Sequence, residues 1–537
     1  MKKRLKSINP LLAFLLLSLI ALFSFVGDYH YFLPKSNQNG FKYYVEPASV
    51  FEVIESSKGI KLKNYNSNFD LFYSVDGGET YDLYTDQNLN NIKMNDLTKY
   101  TTSIRYKHPF GEIPSLSSFL VKAKHSKKNI YTKPIHVTLP NLYSSEIPIF
   151  SLCVNESELF SSINGIMVLG KESWNDDGFY KPFWERSSNY KIRNNESKKQ
   201  VYLQYIENDS IKYSTTCDIQ ISGNATRAFP QKSLKLKATK KYGGDKLKFP
   251  FFGDTELNNY KSIVLRNSGN DNTKTLFADL LMQNLASDFP VLTQKGYPVN
   301  VFINGNYWGI YNVRERYDSY FIGKKENVKP KKVTILEGGI GILKKGYFEE
   351  SEKYVSFIDS IYNLKNIDKK TLSIISNYIN INSFSYYILI ETFYGNGDWL
   401  NNNVMWYKAD HKKWKWMLND LDYGLAYQGN QNTNINYFNI LQSSESITAK
   451  LYKTLMKNTG FKEEFKLKAF KLIEGFTNTK IEYEYDLLKH NFEREISHQT
   501  NRWRGNFSVT DWKKNCAKNL QFLLKRREIF IDQVEKL

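Results

Sequence analysis

Asp398, Asn403, Asp420 and Asp422, in GDWLNNN and the NDLDYG that follows it, have the types and spacing that metal-assisted phosphoryl transfer demands. That chemistry wants an Asp to orient an acceptor hydroxyl and take its proton, and an Asn five positions later to hold a metal. A further Asp, beyond a short hairpin, chelates the metals that bridge the nucleotide phosphates. Asp398 and Asn403 stand five apart, Asp420 follows Asp398 by 22 positions, and Gly424 sits just beyond. Alone, D-x4-N arises by chance in an Asn-rich chain, and Asp420-Leu421-Asp422 reads equally as an Asx turn after a strand. The joint order carries the reading. The same DLD also fits the metal site of a DxD glycosyltransferase that chelates a nucleotide-sugar diphosphate.

The neighbouring elements must position these groups. INSFSYYILIETFYG is apolar on nearly every face, which predicts a buried helix ended by Gly395 or Gly397. VMWYK, the turn ADHKK and WKWML predict an antiparallel hairpin that delivers NDLDYG. Upstream, ISGNATRAFPQKSLKLKA sets Gly223 and Asn224 in a turn after one strand, with Arg227, Lys232 and Lys235 leading into the next. Such a turn lets backbone N–H groups approach phosphate, and a following Lys can neutralise it. The stretch also reads as a plain hairpin with a solvated basic face.

Further strands are expected at VYLQYIE, CDIQIS, KSIVLRN and YPVNVFINGNYWGIYNV, the last a hairpin by its Asn304-Gly305 turn. In NTKTLFADLLMQNLAS, Leu276, Leu280, Leu281 and Leu285 recur at helical spacing, with Thr273 or Asn272 as cap. From Glu349 onward the pattern turns helical, ending in a long segment capped by Thr510. A strand-rich lobe therefore precedes a helix-rich one.

With 537 residues, 41% hydrophobic and 15% aromatic, the chain can bury a large core across roughly two to four domains. The net charge of +19 suits an acidic partner, but the basic residues are scattered and no nucleic-acid motif accompanies them, so a Lys-rich compositional bias explains them and nucleic acid is not expected. Cys153, Cys217 and Cys516 are too few and too dispersed for a disulfide framework or a CxxC metal site. Residues 1–30 pair a basic head with an apolar run from Leu11 to Val26, which fits a signal peptide or an uncleaved membrane anchor; either places the protein outside the cytoplasm, secreted or membrane-anchored. Residues 40–140 read as a small β-sandwich accessory module, with a hairpin around Asp76-Gly77-Gly78. It resembles chitobiase-type or fibronectin-like modules, without their usual proline, and could bind cell-envelope carbohydrate.

Four motifs in order, SGNATRAFPQKSLKLKA, VLRNSGNDNTKTLFADLLMQ, VFINGNYWGIYNVRERYD and GNGDWLNNNVMWYK with WKWMLNDLDYG, resemble the CotH family of protein-kinase-like proteins over residues 147–537. The resemblance implies an α+β, atypical kinase-like fold of two lobes, a β-rich N-lobe and a helical C-lobe. It implies ATP with Mg²⁺ or Mn²⁺ as cofactors and a secreted or cell-surface protein as phosphate acceptor. Asp398 would be catalytic, with Asn403, Asp420 and Asp422 at the metal. Lys232 would bind phosphate, with Lys235 as fallback, and Gly223, Asn224, Arg227 and Glu315 would lie at the nucleotide. Arg266, Asn267 and Asp271 also fall in these motifs. Ala278-Asp279 replaces the family's frequent Arg-Asp, which puts one ion pair in question. A non-catalytic coat or surface protein built on the same scaffold is the alternative.

Overall fold

The computed structural model describes residues 43–56, 59–139, 143–174, 181–253, 257–425, 427, 433–505 and 507–537. The leader-or-anchor segment at residues 1–30 lies outside them, and among the described residues no helix is long and apolar enough to cross a membrane. The chain is α+β and divides into two compact units. One comprises residues up to Tyr73 with Leu83–Gln87 and Val121–Ile135; the other comprises Ser74–Asp82, Asn88–Leu120 and His136–Leu537. Asn88–Leu120, within the expected 40–140 module, belongs to the second.

The N-terminal strands are β1 (Tyr43–Val45), β2 (Phe51–Ser56), β3 (Gly59–Asn64), β4 (Phe69–Ser74), β5 (Asp82–Leu83), β6 (Ser118–His125) and β7 (Ile130–Thr132), mostly of the first unit, and β8 (Ile135–Thr138), mostly of the second. They form a six-stranded sheet in the order β1-β7-β6-β4-β5, with β8 also on β6, and a separate β2–β3 hairpin.

The second unit opens on a closed barrel of β9 (Ile149–Cys153), β10 (Lys199–Glu207), β11 (Ser210–Ile221), β12 (Leu234–Lys237), β13 (Ser262–Arg266), β14 (Gly296–Ile303) and β15 (Asn306–Arg314). Alternation fills its interior: Leu203, Ile219, Leu234, Leu236, Ile263, Leu265, Val299, Val301 and Val313 are fully buried in one apolar cluster. The opposite set points outward. Gln220, Lys235, Val264 and Arg314 are successive cross-strand partners, so Lys235 and Arg314 share a face with Arg266, two residues along β13.

Helices α1 (Glu156–Phe160) and α2 (Ala278–Leu285) lie between barrel strands, and α3 (Ser319–Lys325), α4 (Phe348–Tyr362), α5 (Lys369–Tyr378), α6 (Ile381–Tyr394), α7 (Tyr437–Ser443), α8 (Ile447–Met456), α9 (Thr459–Gly475), α10 (Asn478–Glu493), α11 (Ile496–Arg502) and α12 (Val509–Glu535) follow the barrel. A four-stranded sheet, β17 (Ile342–Lys345), β16 (Val333–Glu337), β18 (Met405–Ala409) and β19 (Lys415–Met417) in that spatial order, accompanies them. Every residue of α6 from Ser383 to Tyr394 is buried, against β19, α9 and α12, as its apolar character predicts. Burial of each large apolar side chain is worth about 1.5–3 kcal/mol, so this helix is a rigid base for the loop after it. Gly395 ends it at φ 62° and ψ 44°, a left-handed position that costs glycine little.

Two caps differ from expectation. The last helix is capped by Ser508, whose Oγ takes the Asp511 N–H while the Asp511 carboxylate takes the Ser508 N–H. Ahead of α2, residues Gly269–Thr273 form a 3₁₀ turn, and the buried Asp271 carboxylate accepts from the N–H groups of Thr275 and Ala278 at 2.9 Å each. Asp271 therefore caps the helix from a distance, the task expected of Thr273 or Asn272, and burial pushes its carboxyl up to about 6.

Candidate active site

The loop after α6 is pinned from below. Trp399 is buried and donates its indole N–H to the Tyr387 hydroxyl at 2.9 Å. Asn396, also buried, donates Nδ2–H to Glu391 Oε2 at 3.0 Å and accepts the Asp398 N–H at 3.3 Å. Asp398 itself is half-buried; its two carboxylate oxygens accept from Asn402 Nδ2 at 2.8 Å and Asn403 Nδ2 at 3.0 Å. The structure thus joins Asp398 to Asn403 directly, leaving the Asn403 amide oxygen for another partner.

The hairpin β18–β19 forms as predicted, pairing Met405 with Met417 and Trp406 with Trp416, and Asp420 and Asp422 lie beyond it. Asp422 is almost wholly buried. Its carboxylate accepts from Asn270 N–H at 2.9 Å, Asn270 Nδ2 at 3.1 Å and Arg266 Nη2 at 2.7 Å. The same Nη2 also bonds Asp420, so one guanidinium nitrogen bridges both carboxylates. Burial and the adjacent Asp420 push the Asp422 carboxyl well up, opposed by Arg266 and the Asn270 donors. Arg266, despite its burial, is held cationic by Asp420, Asp422 and Asp279. Gly269 makes this cradle possible: a Cβ there would lie 1.9 Å from Asp422 Oδ2 and 2.7 Å from Arg266 Nη2.

Asp279, on α2, ties the acidic turn to the barrel. It accepts the Leu421 N–H at 2.9 Å, pairs with Arg314 at 3.1 Å and faces Arg266 at 4.0 Å. Burial pushes its carboxyl up, but Arg314 and Arg266 outweigh it and hold the carboxyl below its usual value. Despite the Ala278 departure, Asp279 sits among ion-pair partners, Arg314 and Arg266. Arg314, Asn270 and Glu391 were not singled out from sequence; Arg314 stands in the YNVRERYD motif, the signal that could have found it.

One backbone bond joins the two halves of the site: Gly397 N–H donates to the Tyr423 carbonyl at 3.2 Å. Burial, then the charges of Asp398, Asp422 and Asp420, raise the pKa of the Tyr423 phenol. Asn403 and Asp420 adopt left-handed backbone at φ 59° and 57°, as does Leu400 at 76°. Strain of this kind is retained where side-chain aim matters more than local comfort.

The basic turn upstream folds differently from expectation. Lys232 is fully buried, its Nζ donating to the carbonyls of Thr102, Arg227 and Phe229 at 2.8, 2.8 and 2.9 Å, 4.0 Å from the Tyr190 ring centre. Three acceptors suit an ammonium, working against the burial that pushes its pKa well down. Arg227 is likewise spent on the carbonyls of Ile221 and Tyr190. Gly223 turns at φ 94°, and Asn224 accepts from Arg193 at 3.0 Å. Glu315 is buried after β15, where its Oε2 accepts the Lys295 N–H at 2.9 Å. Among the described residues, the hydrogen bonds of Lys232, Arg227 and Asn224 run to partners other than the acidic cluster. Lys235 is placed otherwise: half-buried on the barrel face of Arg266 and Arg314, it forms no ion pair among the described residues. Burial, then Arg316 and neighbouring lysines, lower its pKa to about 8. Lys232→Met should accordingly lower stability by about 2–4 kcal/mol in urea unfolding, since three buried carbonyls lose a charged donor. A phosphate ligand would instead show as weakened nucleotide binding on an unchanged unfolding curve.

Among the described residues no three His, Cys, Asp or Glu side chains surround one point. The carboxylates of the acidic turn nonetheless suit a hard divalent cation, because Asp420 and Asp422 already converge on one cationic nitrogen. The cysteines are buried and free. Compared with known protein families, residues 219–530 match the one described as CotH kinase protein. No curated protein matches the chain.

Proposed function

The chain belongs to the CotH kinase protein family, and from that premise we propose that it transfers the γ-phosphoryl group of ATP to Ser or Thr of secreted or surface proteins, outside the cytoplasm. In this reading the barrel and the helical part act as the two lobes of an atypical kinase, with the nucleotide between them. The observation that carries it is the Gly397–Tyr423 backbone bond, which links the Asp398 loop to the Asp420–Asp422 turn.

Asp398 would accept the acceptor hydroxyl's proton; its two asparagine donors fix the carboxylate's aim. Asp420, Asp422 and Asn403 would hold Mg²⁺ or Mn²⁺, which when bound neutralises charge on the phosphates. Lys235, rather than the caged Lys232, would meet the phosphates. At neutral pH its ammonium predominates, and an anion beside it would favour that form further. Positioning and charge neutralisation supply the catalysis.

A radiolabelled-ATP assay against casein-like or co-secreted proteins tests this. Asp398→Asn should cut transfer by about 10²–10⁴-fold, Asp420→Ala should abolish it, and Lys235→Met should raise KM for ATP. Equal labelling by wild type and Asp420→Ala would overturn the assignment and favour the non-catalytic scaffold.

A further inference from the structure

A second charged cleft lies off the acidic cluster, between α12 and the segments around Lys274 and Tyr427. On α12, Asn515, Lys518, Asn519 and Lys525 fall at helical spacing on one face, and all line it. Lys274 faces them; its Nζ donates to the Tyr427 carbonyl and sits 3.7 Å from that ring's centre. None of the lining residues is acidic. After burial, which lowers the Lys274 pKa, the nearby Asp271 charge raises it and Lys518 lowers it. Three lysines on a lining without an acid favour an anion in the cleft.

Size narrows the anion. The cavity measures about 110 Å³. Nucleotide-sized pockets run to about 300–1,000 Å³. Three ammonium groups and three side-chain amides around so small a volume match one tetrahedral oxyanion. Its location narrows the source: the Tyr427 ring packs on Tyr423 at 4.4 Å, and Tyr423 neighbours Asp398, Asp420 and Asp422.

We propose that this cleft binds the phosphate of an already phosphorylated Ser or Thr on the acceptor chain, presenting a nearby hydroxyl to Asp398. The link to a second hydroxyl rests on the kinase reading; the phosphate site does not. The test is peptide binding by calorimetry without ATP, using one Ser-rich peptide with and without a single phosphoserine, and inorganic phosphate separately. The phosphopeptide should bind saturably and the unphosphorylated peptide should not. The Lys518→Gln/Lys525→Gln double variant, altered at one half-buried and one exposed position, should weaken binding by tenfold or more at an unchanged unfolding midpoint. Inorganic phosphate binding as tightly as the phosphopeptide would overturn the peptide assignment in favour of a free-anion site. Binding that the double variant leaves intact, or no binding to wild type, would overturn the site itself. Intact phosphopeptide binding beside absent transfer would count only against the kinase reading.

Discussion

Exchanging Arg266 for leucine should cost the protein about 3–5 kcal/mol of stability, the range for removing one partner of a buried ion pair. The loss falls chiefly on Asp422, whose carboxylate is 1% exposed and would keep only its Asn270 donors, while Asp420, about a third exposed, is partly rescued by water. Two adjacent carboxylates without their shared guanidinium repel each other, and Asp279 loses one of its two arginines. Millimolar Mg²⁺ or Mn²⁺ should then raise the variant's unfolding midpoint more than the wild type's, because a divalent cation can take the charge-neutralising place. Equal shifts in both proteins would show that these aspartates do not share a cation. Thermal unfolding with and without metal gives the answer independently of any phosphotransfer.

The second large effect is a stability that falls with rising pH. Glu391, fully buried in α6, has one oxygen bonded to Asn396 and the other without a partner among the described residues. Burial raises its pKa from 4.5 to about 8; the Asn396 donor opposes that and the Asp279 charge adds to it. The other titratable groups that feel it are the phenols of Tyr387, Tyr394 and Tyr437. Because the folded state holds this proton more tightly, the stabilisation is complete below about pH 4.5 and is lost as pH rises towards 8. The slope is roughly a kcal/mol or more per pH unit. Glu391→Gln keeps an acceptor for Asn396 but cannot titrate, so its urea midpoint should fall less steeply over that window than the wild type's, the raised carboxyls of Asp271 and Asp422 being common to both. Parallel curves would sink the assignment. The effect should reach the site, since Asn396 also holds the Asp398 N–H.

Local pattern revealed much of this fold. The all-round apolar character of α6, Gly395 at its end, the Asn304-Gly305 turn and the β18–β19 hairpin are short-range features, and each formed where periodicity and turn chemistry put it. Asp398 with Asn403 was legible for the same reason: five residues in one loop must lie near each other. Lys232 was not. Whether a lysine faces solvent or a cage of carbonyls depends on Thr102, 130 positions away, and no local spacing encodes that. The Arg266–Asp422 and Arg314–Asp279 pairs are likewise products of barrel register and helix placement. Both misplaced caps share a cause: several polar residues near a helix start could accept the same N–H, and tertiary packing selects among them.

Gly269 gives the acidic site a constraint unrelated to charge. With Asp422 Oδ2 where a Cβ would be, at 1.9 Å, a single added methyl group would push the carboxylate aside while every formal charge stayed in place. Position 269 therefore measures shape alone, and variation there would detune the aim of Asp422 without altering the electrostatic balance around Arg266.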